Sequence, residues 1–194
     1  MATTTTPVTP QGRLFTAADL AALPTRLPSG DVDYELDKGR LVIMVPPGHM
    51  HGSTQSRIAT EITLQGERKG HGRAFTEVGI VLSRNPDSVV GADAAFIVTA
   101  NLPVRESREG YLETIPDLIV EIRSKNDTHA ELETKADGYL AAGARVVWIV
   151  DPLKKSVIEH RPKTLPRTLH EFDVLTNDDV IPDFRLNVAE LFRP

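Results

Sequence analysis

The stretch Pro116–Lys125, PDLIVEIRSK, constrains this chain more than any other. Side chains of a strand alternate between faces, so Leu118, Val120 and Ile122 share one face while Asp117, Ile119, Glu121 and Arg123 share the other. The charges are sorted onto one side. The apolar face predicts a packed helix, and the other face brings carboxylates and a guanidinium into line. A buried charge without a partner is costly, so the acidic face needs a reason. Two readings fit the residues alone: an exposed face carrying a weak local ion pair, or a chemical site in which the anions have a cationic partner.

The segments on either side of this strand set the architecture. NDTHAELETKADGYLAAG predicts a helix with a capping box from Thr128 to Glu131, an apolar stripe through Leu132, Ala136, Tyr139 and Leu140, and Gly143 just past its end. ARVVWIVDP is almost wholly apolar, as expected of a strand covered on both faces, and KKSVIEHR reads as its hairpin partner. Upstream, FTAADLAALP predicts a short helix capped by Thr16. DYELDKGRLVIMV predicts a hairpin turning at Asp37–Gly39, and residues 51–67 a helix. FTEVGIVLS and ADAAFIV are further strands separated by the turn signal RNPDS, and the polar loop of residues 101–114 precedes the acidic strand. Asn187 is a candidate cap for a last short helix.

Composition narrows the function. The chain has 194 residues, 40% of them hydrophobic, enough for one domain with a real core. Residues 1–12, MATTTTPVTPQG, read as a disordered tail, leaving residues 13–194 as the folded domain. No cysteine is present, so disulfides and thiolate metal sites are excluded. The tail lacks the basic start and apolar core of a signal peptide, and apolar runs such as Val146–Val150 are too short to span a bilayer; the expectation is a cytoplasmic protein without a membrane role. A net charge of −5 argues against a broadly basic nucleic-acid coat, while the local strip GERKGHGR, residues 66–73, leaves room for a nucleic-acid-facing edge.

Asp93, in GADAAFIV, stands near the start of an apolar strand and could share a metal with Glu121; its alternative is an ordinary turn residue. Lys135 flanks the buried stripe of the helix that follows the acidic strand, so its amine could reach the sheet or lie on the surface. Carboxylates and carbonyls are hard ligands that suit Mg²⁺ or Mn²⁺. Asp117 shares the face of Glu121 but lies four residues earlier, roughly 13 Å along an extended strand, and is expected at the strand entrance. Glu35 and Glu61 could each add a carboxylate but read first as turn-flanking or solvent-facing; His49 and His51 could bind a metal if extended but read first as residues opening a helix, and Trp148 as core. With 5% aromatic residues, a base-stacking single-strand binder is not indicated.

The segments GADAAFIV, PDLIVEIRS and KADGYLAAGARVVWIVDP, in this order, resemble the Uma-type restriction endonuclease family, long catalogued as a domain of unknown function within the PD-(D/E)xK nuclease superfamily. The resemblance runs from DYELDKGRLVIMVPPGHMHG to PDFRLNVAELF. It implies an α/β fold with a restriction-endonuclease-like core, a central mixed β-sheet flanked by helices, with an N-terminal β-hairpin. It implies that Asp93 and Glu121, 28 residues apart, hold Mg²⁺ or Mn²⁺ with the Ile122 carbonyl as third ligand. The superfamily's lysine two places after the second acid is Arg123 here, which stays protonated and can only stabilise charge. Lys135 resembles a family position where the amine has moved onto the helix. The implied activity is metal-dependent endonucleolytic hydrolysis of DNA, with a homodimer addressing two strands. The alternative is a nuclease fold with vestigial catalysis, acting as a binding or regulatory module.

Overall fold

The computed structural model describes residues 13–27, 30–44, 46–105 and 107–193; the predicted tail lies outside them. Three α-helices are present among these residues: α1 (Ala17–Ala21), α2 (His49–Ile62) and α3 (His129–Ala142). The first strands are β1 (Arg26–Leu27), β2 (Gly30–Asp31), β3 (Asp33–Asp37) and β4 (Arg40–Met44), followed by the long pair β5 (Gly72–Ser83) and β6 (Ser88–Val98). Then come β7 (Leu118–Ile122), β8 (Val146–Asp151), β9 (Ser156–His160), β10 (Arg167–His170), β11 (Val174–Thr176) and β12 (Arg185–Asn187).

Eight strands form one mixed sheet in the order β10-β9-β8-β7-β6-β3-β4, with β5 also on β6. The pair β7–β8 is parallel, joined through α3, and the other ladders are antiparallel. The predicted alternation of β7 holds. Leu118, Val120 and Ile122 pack with Ile58 and Ile62 of α2, while Ile119 packs with Leu132, Ala136 and Tyr139 of α3. A helix therefore covers each face, and β8 is buried at every position.

Local chemistry explains the boundaries. The predicted Thr128–Glu131 box forms, the predicted Thr16 cap forms a box with Asp19, and α3 stops at Gly143 with φ 121°. The β3–β4 hairpin turns through Lys38 and Gly39, both at positive φ, as a two-residue connection matched to strand twist requires. α2 starts at His49, two residues before the predicted start, and its last predicted turn widens into a π-type turn over Thr63–Glu67. Asn187 precedes a 3₁₀ turn, Val188–Phe192, but makes no side-chain cap; its amide donates to Glu190 instead. Trp148 is core as expected, with its ring tilted against Phe184 and its indole N–H donating to Glu159. Among the described residues no helix is long and apolar enough to cross a membrane.

One irregularity positions the site. β5 lines one side of β6 almost end to end, but the other side is shared: β3 pairs only at Val89, and β7 only from Ala94 to Phe96. Between them, residues 90–93 of β6 have no strand partner on that side among the described residues.

Candidate active site

Backbone groups in that gap still need partners, and side chains supply them. The Gly91 N–H donates to Glu35 Oε1 at 2.8 Å. Its carbonyl faces Lys135 Nζ at 3.5 Å and the Tyr139 hydroxyl at 3.4 Å. Where the β6–β7 ladder stops, Asp93 Oδ2 accepts the Ile122 N–H at 2.6 Å. Three strands thus deliver three carboxylates to one place: Glu35 from β3, Asp93 from β6 and Glu121 from β7.

Cations and hydroxyls come from the helices. Lys135 Nζ lies 3.2 Å from both Glu35 Oε1 and Glu121 Oε2. Tyr139, one turn further along α3, donates its hydroxyl to Glu121 Oε1 at 2.5 Å. From α2, His51 Nε2 stands 3.2 Å from Asp93 Oδ2, and Gln55 Nε2 donates to the Asp93 carbonyl at 2.9 Å and to Glu77. Glu77 sits in β5 at φ 49°, opposite Asp93 and between the pairs Thr76–Ala94 and Val78–Ala92, with the register unshifted across it.

Electrostatics follow from burial. Desolvation pushes Glu121 up to about 7, with Asp93 and Glu35 adding repulsion and Lys135 opposing it. Burial pulls the Lys135 ammonium down, but Glu121 and Glu35 outweigh that and hold it protonated. Tyr139 is raised well above the usual phenol range by burial and by Glu121, so it remains a donor. Burial also disfavours the His51 cation, yet Asp93 outweighs it and the net shift is upward. His51 Nδ1 is buried with no hydrogen-bond partner among the described residues.

The donor set fits a hard divalent cation. Three carboxylates face one lysine and one histidine, and no hydrogen bond among the described residues reaches Asp93 Oδ1. Among those residues no three His, Asp or Glu side chains are already gathered as a metal cage. Mg²⁺ keeps several waters and needs only one or two protein carboxylates.

Of the residues predicted from sequence, Asp93, Glu121 and Lys135 come together with Ile122. Arg123 turns elsewhere: its Nη1 binds Asp151 Oδ2 at 2.8 Å and its Nε faces the Asp127 carbonyl at 3.3 Å. Asp117 is at the strand entrance as expected, accepting from the Val98 N–H and Asn101. Glu35 and His51 differ from their expected roles, because both are turned into the cluster. Glu61 holds Gln65 on α2, and His49 is exposed. Tyr139 was expected only as part of the buried stripe. Its position four residues after Lys135, on one helix face, is the signal that connects it to the site.

The fold is thus a mixed sheet with a helix on each face, and the gap beside β6 holds an acidic cluster with one lysine. The chain belongs to the Uma2 family, described as "Putative restriction endonuclease", which it matches over residues 18–189. Among solved structures it is similar to a putative nuclease belonging to DUF820 from Anabaena variabilis, with a TM-score of 0.74 and 18% identity, over 92% of this chain and 97% of that one. At that identity the likeness concerns the fold. No curated protein matches the chain.

Proposed function

We propose that this protein hydrolyses phosphodiester bonds in DNA with Mg²⁺ or Mn²⁺ held by Asp93 and Glu121 and by the Ile122 carbonyl. The observation that supports this reading best is the gap beside residues 90–93, where one buried and two half-buried carboxylates from separate strands outnumber their cations. A divalent cation there supplies Lewis-acid stabilisation of the phosphate and acidifies water.

The chain's own groups do the rest. Lys135 is held protonated between Glu35 and Glu121, so it presents positive charge to a phosphate entering the gap. Tyr139 fixes the Glu121 carboxylate through one oxygen, and the Ile122 N–H fixes Asp93. Arg123, bound to Asp151, shapes the loop that follows β7 and contributes charge from a distance. All these groups come from one chain, so a single copy holds a whole site; two copies would address two strands. Nucleic acid as substrate is consistent with a cytoplasmic location.

Cleavage of supercoiled plasmid DNA tests the reading. Wild type should nick or linearise it with Mg²⁺ or Mn²⁺ and not with EDTA, and Glu121→Gln or Asp93→Asn should stop the reaction. If wild type cuts neither DNA nor RNA with any divalent ion, the fold serves as a binding or regulatory module instead.

A further inference from the structure

A groove of 470 Å³ runs between the outer face of α2 and β5, lined by Gly52, Gln55, Thr60, Thr63, Arg68 and Thr76 among others. Gln55 ties one end of it to the site, since the same amide nitrogen reaches the Asp93 carbonyl and Glu77. At the other end Arg68 and its neighbour Lys69 are exposed, and neither has an ion-pair partner among the described residues. The nearby acids are already engaged: Glu67 accepts the Ala74 N–H at 2.7 Å and Glu61 accepts Gln65 at 2.7 Å.

Beside Ala59 and Leu64, the lining offers hydroxyls, an amide and a guanidinium, the groups that contact phosphate and sugar, and among the described residues no aromatic side chain in the groove offers a base a stacking surface. A Cβ on Gly52 would meet nothing within 4 Å, so the end nearest the site is open. Resting on the nuclease reading above, we propose that this groove holds one sugar–phosphate strand of the substrate, which runs from Arg68 to the carboxylates at Asp93 without regard to base sequence. Thirteen residues separate Gln55 from Arg68. At about 1.5 Å per helical residue that is roughly 20 Å, or about six nucleotides at 3.4 Å each.

Fluorescence anisotropy with a labelled 12-nucleotide single-stranded DNA of mixed sequence tests this in a Glu121→Gln background, where binding is separated from cleavage. Arg68→Ala should weaken binding about tenfold and lower the slope of log affinity against log salt by about 0.7, equally for unrelated sequences. Thr60→Lys should do the reverse, and Gly52→Leu should block the strand. Unchanged affinity and slope in both Arg68→Ala and Thr60→Lys would overturn the groove while leaving plasmid cleavage, and hence the nuclease reading, intact. Failure to bind the oligonucleotide at low salt overturns it as well. Arg68-dependent binding with no cleavage by the wild type would keep the groove and remove the nuclease reading.

Discussion

The Asp93 carboxylate stands in for backbone at the point where the β6–β7 ladder ends, accepting the Ile122 N–H at 2.6 Å. That one contact ties the two acidic strands together and holds the Asp93 carboxylate against β7. The role needs an acceptor, not a charge. Asp93→Asn should therefore stay folded with stability near wild type, whereas Asp93→Leu should lose about 1–3 kcal/mol by orphaning a buried N–H. Urea unfolding distinguishes them, and divalent-ion binding should fail in both.

Lys135 carries the opposite burden. It is the only lysine touching Glu35 and Glu121 among the described residues, and removing it leaves the buried Glu121 facing the half-buried Glu35 without that cation. Lys135→Met should cost about 3–5 kcal/mol, as breaking a buried pair does. Adding Glu121→Gln should recover part of that loss, and a double-mutant cycle on urea midpoints gives the coupling.

Glu121 also sets a pH dependence in the metal-free protein. Its pKa is about 7 in the folded chain against an ordinary 4.5, so the folded state binds the extra proton between those values. The group's stabilisation is complete below pH 4.5 and is lost as pH rises through 7, at most about 3 kcal/mol. His51, also raised, acts with the same sign. Thermal unfolding in EDTA should show this decline and a flatter curve for Glu121→Gln. Added Mg²⁺ should stabilise the wild type increasingly over the same interval, since it binds the charged form.

Two glycines make a paired test of packing. A Cβ at Gly72 would lie 2.1 Å from the Ile97 carbonyl oxygen, in the β5–β6 ladder, so Gly72→Ala should destabilise by about 1–3 kcal/mol. A Cβ at Gly138, within α3, meets nothing within 4 Å, and Gly138→Ala should stabilise by about 0.5–1 kcal/mol. Differential scanning calorimetry reads both signs.

Much of this arrangement is visible in the sequence where local rules dominate. The alternation of residues 118–122, the Thr128–Glu131 box and the apolar run 146–150 place β7, α3 and β8, and acids set in apolar strands mark Asp93 and Glu121. What local rules miss depends on long-range closure. Glu35 meets Lys135 across 100 residues, because β3 leaves β6 just where β7 has not yet begun. His51 and Gln55 face the site only once α2 lies on the sheet. The positive φ at Glu77 has no glycine to announce it, and the short β11–β12 pair has too few residues for a clear period.

Diffraction from Mn²⁺-soaked crystals at a wavelength where manganese scatters anomalously tests the account most directly. The expected result is an anomalous peak roughly 2.1 Å from oxygens of both Asp93 and Glu121, absent in Glu121→Gln crystals. Crystals that take up Mn²⁺ elsewhere and leave these two carboxylates bare would contradict it.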